Sequence, residues 1–129
     1  MRILLDTHCW LWMLASPAKF SPSTREALEN PDNELLLSAA SSWEIAIKYS
    51  LGRLELPEPP LEFVPSRMVR SGVIGLAVEH RHALAVAELP RHHRDPFDRL
   101  LVAQAVVESL PILTADTQLS RYGVETLAT

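Results

Sequence analysis

Short apolar runs of strand length alternate along the chain with longer stretches in which apolar positions recur every three or four residues. The runs at 3–5, 35–38, 73–76, 112–114 and 124–127 predict five strands, the last being the weakest. Helical spacing covers 7–14, 23–29, 42–51, 61–71, 79–88 and 96–109, with a short turn near 117–121. Strands that alternate with helices form β-α-β crossovers, which make neighbouring strands parallel and lay helices on both faces of the sheet. The expected fold class is therefore α/β, a three-layer α/β/α domain around a central parallel sheet of about five strands. The Pro-rich piece Leu56-Pro57-Glu58-Pro59-Pro60 cannot continue a helix, so it separates the helix ending near Gly52 from the next.

A length of 129 residues with 47% hydrophobic content makes one domain over 1–129 the expectation. No apolar run approaches the roughly 20 residues that a bilayer span requires, and Asp6 interrupts the apolar start before a signal-peptide core can form. Cys9 is the only cysteine, which excludes an intramolecular disulfide and fits a reducing compartment; the cytoplasm is the expected location. A net charge of -4 argues against a broad basic surface for duplex nucleic acid but leaves room for a local basic patch. The basic residues are nearly all arginine, with Lys19 and Lys48 the exceptions, and arginine is the better fork for phosphate.

The aspartates fall at the ends of the expected elements. Asp6 follows the first strand, Asp116 follows the fourth, Asp95 and Asp98 open a helix, and only Asp32 sits in a remote turn. In open parallel sheets ligands bind beyond the carboxyl ends of the strands, which puts Asp6 and Asp116 on the functional edge. Glu44, shortly past the second strand, belongs to that edge. The helix that opens at Pro96 precedes a strand, so its first turn overhangs the edge as well and brings Asp98 with it.

Each acid taken singly reads as a helix cap. Ser41-Ser42-Trp43-Glu44 fits a capping box, and Asp95-Pro96-Phe97-Asp98 fits an N-cap followed by proline at the first helical position. Asp6 and Asp116 can cap the segments after them. Capping does not explain why all of them gather at one edge. Clustered carboxylates repel one another unless a cation sits among them, and ligation by oxygen alone favours Mg²⁺ or Mn²⁺ over zinc. Such a cation polarises a phosphoryl oxygen and acidifies a bound water, which points to phosphodiester hydrolysis.

Four segments at this spacing resemble one known family: Leu4-Leu5-Asp6-Thr7-His8, Ser41-Ser42-Trp43-Glu44-Ile45-Ala46-Ile47-Lys48, the run from Arg94-Asp95-Pro96-Phe97-Asp98-Arg99 to Ala105, and Ile112-Leu113-Thr114-Ala115-Asp116. Together they are similar to the PIN-domain ribonucleases, and within these to the VapC-type toxins of bacterial toxin-antitoxin modules, over nearly the whole chain. The resemblance implies that Asp6, Glu44, Asp98 and Asp116 form the family's acidic quartet, which binds Mg²⁺ or Mn²⁺ and cuts single-stranded or looped RNA. Asp6 and Asp98 match best as metal ligands. Asp95 is assigned to helix capping, and Thr7 and Thr114 are candidates to orient carboxylates through their hydroxyls.

The loop Arg91-His92-His93-Arg94 precedes the helix of Asp98, so Arg91, His93 and Arg94, with Arg99, are candidates to hold an RNA phosphate; a solvated loop is the competing reading. His80 and His82 lie two apart on an expected helix, cannot share one face, and make a poor metal pair. Trp10, Trp12 and Trp43 flank the acidic positions and could stack bases, but packing is the expected role. Apolar helix surface in excess of what a small monomer hides suits a dimer or a partner peptide. The family resemblance makes these a homodimer and a VapB-like antitoxin.

Two other classes of function compete with an endoribonuclease toxin. One is a catalytically idle PIN-like module for RNA or protein binding, or its working counterpart, a housekeeping RNA-processing nuclease. Retention of all four acids speaks against idleness, because binding alone needs no carboxylates where phosphates must approach. A phospho-acceptor receiver domain also places aspartates at strand ends, but it needs a late lysine, and both lysines precede Pro57.

Overall fold

The computed structural model describes residues 1–129. Its elements in chain order are β1 (Arg2–Leu5), α1 (Thr7–Ala15), α2 (Pro22–Glu29), β2 (Glu34–Ser38), α3 (Ala39–Ser50), α4 (Pro60–Ser71), β3 (Ile74–Leu76), α5 (His80–Ala85), α6 (Pro96–Glu108), β4 (Ile112–Leu113) and β5 (Thr126–Leu127). Single 3₁₀ segments occupy Pro17–Lys19, Val86–Glu88 and Thr117–Tyr122. The strands form one sheet in the order β3-β2-β1-β4-β5, with every neighbouring pair parallel.

Alternation along the strands builds the three layers. Ile3 and Leu5 of β1, Leu35 and Leu37 of β2 and Leu113 of β4 pack on one face with Trp10, Ile45, Phe63 and Val64 from α1, α3 and α4. Leu4, Leu36 and Ile112 point the other way, onto Leu101, Val102 and Ala105 of α6. Successive strand residues face opposite sides, so both faces of the central strands are apolar, and the sequence there runs nearly unbroken in leucine and isoleucine. No helix is long and apolar enough to cross a membrane.

Two element boundaries differ from expectation in ways that matter for the site. Helix α3 begins at Ala39 rather than at Ser42, because Ser38, the last residue of β2, caps it: its hydroxyl accepts from the Ala40 amide at 3.0 Å. The capping box expected at Ser41 and Glu44 is thus absent, and both residues lie inside the helix, buried. The helix expected over 79–88 is shorter, giving way after Ala85 to the 3₁₀ segment Val86–Glu88. Its capping box is built from Glu79 and His82.

Candidate active site

Asp6 leaves β1 at the carboxyl edge of the sheet, where its amide still donates to the Leu113 carbonyl at 3.0 Å. Its carboxylate does two jobs. One oxygen caps α1 by accepting from the His8 amide at 3.2 Å, and the other accepts from the Thr114 hydroxyl at 2.7 Å. Burial alone would raise this carboxyl, but these hydrogen bonds and the nearby His8 ring hold it below the ordinary carboxylate range. The His8 ring, 3.9 Å away and largely exposed, is raised in turn by the Asp6 carboxylate.

Glu44 comes to the same edge one turn into α3. It is buried, and Lys48, four residues on, meets it at 2.6 Å. Ser41, on the same helix, accepts from the Thr7 hydroxyl at 2.7 Å, which locks the first turns of α1 and α3 together. Thr7 therefore bonds a hydroxyl rather than a carboxylate, and of the two candidate threonines Thr114 alone touches an acid.

Asp98 lies in the first turn of α6, whose N-cap is Asp95. The Asp95 carboxylate accepts from the amides of Phe97 at 2.8 Å and Asp98 at 3.3 Å, the capping expected of it. The Asp98 carboxylate itself accepts no hydrogen bond from the chain. Burial and then the negative charges of Asp95, Asp6 and Glu44 push it up to about 6. Three acids from β1, α3 and α6 thus act electrostatically on a single point.

Asp116 stands after β4. One of its oxygens caps the segment Thr117–Tyr122 through the Gln118 amide at 2.9 Å, and the other meets His93 Nε2 at 2.8 Å. The second ring nitrogen of His93 lies 2.9 Å from the Tyr122 hydroxyl. All four acids of the expected quartet occupy one edge of the sheet. Asp6 and Asp116 each use one carboxylate oxygen to cap a helical segment, as the capping reading expects.

The basic candidates separate. Arg91 and Arg94 are exposed, and with His92 they line an open groove of about 880 Å³ beside the acids. Arg99 is not free for phosphate: its guanidinium donates to the carbonyls of Pro90, Val86 and Leu89 and so ties α6 to the preceding loop. Of the tryptophans, Trp10 packs in the core against Phe63 and Trp12 against Phe20. Trp43 departs from the packing expectation, being 60% exposed beside Glu44 with its ring edge-on to Phe97.

Other reactive side chains are structural. Burial pushes the Cys9 thiol up to about 12, which leaves it an inert packing group. His82 clusters with Glu79 and Glu108, but its Nδ1 accepts from the Glu79 amide and its Nε2 meets Glu108 at 2.8 Å, so both nitrogens serve the joint between α5 and the far end of α6. Sequence pattern assigns no role to Lys48, His8 or Tyr122. Lys48 follows Glu44 at i+4 and carries a signal there; Tyr122 lies 29 positions from His93 and carries none.

Residues 3–125 match the PIN domain family. Over 120 residues, 93% of this chain and 91% of the relative, the sequence is 31% identical to ribonuclease VapC22 of Mycobacterium tuberculosis. A shorter stretch of 59 residues, 46% of this chain and 42% of the relative, is 52% identical to ribonuclease VapC16 of the same organism. Among solved structures the fold is similar to that of VapBC2 from Rickettsia felis bound to a DNA fragment from its promoter, with a TM-score of 0.75, 14% identity and coverage of 99% and 98% of the two chains. DNA-bound VapBC from Salmonella typhimurium gives 0.73 at 20% identity, covering 99% and 98%.

Proposed function

The chain belongs to the PIN-domain family, among its VapC-type ribonucleases, and from that premise we propose that it is a metal-dependent endoribonuclease and the toxin of a toxin-antitoxin pair. The observation that carries the reading is the gathering of Asp6, Glu44, Asp98 and Asp116 at the carboxyl edge of the sheet, where burial and the charges of Asp95, Asp6 and Glu44 raise the Asp98 carboxyl. A carboxylate whose charge is disfavoured by burial and by neighbouring acids, with no cationic side chain paired to it, is suited to a divalent cation. The donors are hard oxygens, which fits Mg²⁺ or Mn²⁺ held by Asp6, Glu44, Asp98 and Asp116. Bound there, the cation supplies Lewis acidity toward a phosphoryl oxygen and lowers the pKa of a water.

The chain's own groups set up the rest. Thr114 and the His8 amide fix both oxygens of Asp6. Lys48 holds Glu44. Asp95 rigidifies the turn that presents Asp98. Arg91 and Arg94, exposed on the adjoining groove, suit the phosphates of a single strand. Water attack on phosphorus with departure of the 3′ oxygen leaves 5′-phosphate ends. Purified protein given single-stranded RNA should cut it in Mg²⁺ or Mn²⁺ and stop in EDTA; equal cleavage in both conditions overturns the reading.

A VapB-like antitoxin and a second copy of the chain are the proposed partners. Leu61 and Val69 of α4 and Leu84 of α5 are strongly exposed. A groove of about 470 Å³, with Met13, Leu14, Phe20 and Leu28 among its lining and Arg25, Arg67 and Arg70 against one acid, Glu29, lies between α1, α2 and α4. Its apolar lining and basic sides fit an amphipathic segment with acidic flanks.

A further inference from the structure

His93 joins the basic loop to the acids, and both of its ring nitrogens are committed. Nε2 lies 2.8 Å from Asp116 Oδ2, and Nδ1 lies 2.9 Å from the Tyr122 hydroxyl. The ring is 12% exposed and stacks on Tyr122 at 5.5 Å, so its orientation is fixed from two sides. A histidine placed for an RNA phosphate needs an N–H directed to solvent, and His93 offers none. Its ligand nitrogen, one oxygen of Asp98 and one of Asp116 all lie within 4.8 Å of one another.

We propose that His93 Nε2 is a ligand, with Asp98 and Asp116, of the divalent cation at this site, making it a mixed nitrogen-oxygen centre rather than an oxygen-only one. The proposal rests on the reading of the acids as a cation site. Ligand atoms about 2.1 Å from a common ion are about 3.0 Å apart when adjacent and about 4.2 Å apart when opposite. The separation of 2.8 Å between His93 and Asp116 is that of adjacent ligands, and Asp98 offers a third donor oxygen within 4.8 Å of both. Tyr122 completes the arrangement as a positioning residue. Its hydroxyl donates to Nδ1 while Nε2 carries the proton toward Asp116, and accepts from Nδ1–H once Nε2 turns its lone pair to the ion. Mg²⁺ prefers oxygen, whereas transition ions take imidazole readily, so a nitrogen ligand favours Mn²⁺ over Mg²⁺.

The test uses the whole protein loaded with Mn²⁺ and pulsed electron paramagnetic resonance. A ¹⁴N coupling of a directly bound imidazole is expected in the wild type. It should survive in His8→Gln, the other histidine beside the acids, and vanish in His93→Gln, which keeps a hydrogen-bonding group of similar reach. Binding titrations read the consequence: His93→Gln should weaken Mn²⁺ ten- to hundredfold while changing Mg²⁺ less than threefold. Tyr122→Phe should weaken Mn²⁺ by a smaller factor of the same selectivity. Bound Mn²⁺ without ¹⁴N coupling in the wild type, a coupling lost only in His8→Gln, or equal weakening of both ions in His93→Gln overturns the proposal and leaves His93 as a brace for Asp116. Failure of the wild type to bind Mn²⁺ at all overturns the cation reading itself.

Discussion

Thr114 donates its hydroxyl proton to Asp6 at 2.7 Å, joining the ends of β1 and β4 across 108 positions of sequence. The bond is buried, and its acceptor is a carboxylate held below its ordinary range, so the hydroxyl stabilises the ionised form. Thr114→Val keeps the shape and removes the donor. Hydrogen bonds to charged groups contribute about 1.5–3 kcal/mol, so urea denaturation at pH 7 should show a loss of that order, with cation affinity reduced as Asp6 loses its orientation. Thr114→Ser should restore most of both. Equal stability of the valine and serine variants would show that the hydroxyl contributes only packing.

Asp98 behaves in the opposite sense. Its carboxyl is raised to about 6 against an ordinary 3.8, so the folded state prefers it protonated. The stability this provides is fully present below about pH 3.8 and is lost as pH rises through about 6. Asp98→Asn removes that penalty. In EDTA the variant should melt near the wild type at about pH 3.5 and above it at about pH 7.5, while RNA cleavage collapses. Adding Mg²⁺ should stabilise the wild type more than the variant. Lower melting of the variant by a similar margin at both pH values would identify Asp98 as a structural residue of the α6 turn.

The layers and the acids were legible in the sequence for separable reasons. Leu4, Leu36 and Ile112 sit between apolar neighbours in strands buried on both faces, and a strand covered by helices on each side requires that continuous apolar pattern. The edge position of Asp6 and Asp116 followed from parallel topology alone. The start of α3 was less legible, because Ser38, Ser41 and Ser42 all qualify as caps within five positions. Ser38 takes the role, since its backbone is extended and its hydroxyl reaches the Ala40 amide. Arg99 departs from expectation for another reason. Its charge near the acids suggested phosphate, but the carbonyls of Val86, Leu89 and Pro90 turn toward the guanidinium and claim it, and local pattern gives no view of where carbonyls point. The pairing of His93 with Tyr122 depends on chain folding between α6 and β5 and leaves no periodic trace.

Those different fates of the arginines separate binding from folding. Arg94→Ala and Arg91→Ala should leave thermal stability within about 0.5 kcal/mol, as for exposed side chains without structural bonds. Each should weaken RNA binding across sequences and reduce the slope of log affinity against log salt by about 0.7 for a single strand. Arg99→Ala removes the donor that three carbonyls share and should instead destabilise the fold by about 1–3 kcal/mol with no matching change in salt slope. A salt slope reduced by Arg99→Ala but not by Arg94→Ala would reverse the assignment.

Helix α1 connects the acidic edge to the apolar groove. Asp6 caps its first turn, and Met13 and Leu14 near its other end line the groove flanked by Arg25 and Arg70. Nine residues at about 1.5 Å each span about 13 Å, within reach of an antitoxin peptide that seats a helix in the groove and extends a few residues further. Acidic groups on that helix would meet Arg25 and Arg70, and a basic side chain on the extension would enter among Asp6, Glu44 and Asp98, competing with the cation for the same negative potential. Inhibition should therefore weaken as Mg²⁺ rises at fixed peptide, and Arg25→Glu should weaken it at every Mg²⁺ concentration. Coexpression with a short reading frame immediately upstream, followed by affinity purification of this chain, should recover the partner in stable complex. Normal growth of host cells producing the active nuclease alone, with no partner recovered, would replace the toxin reading with that of a housekeeping RNA nuclease.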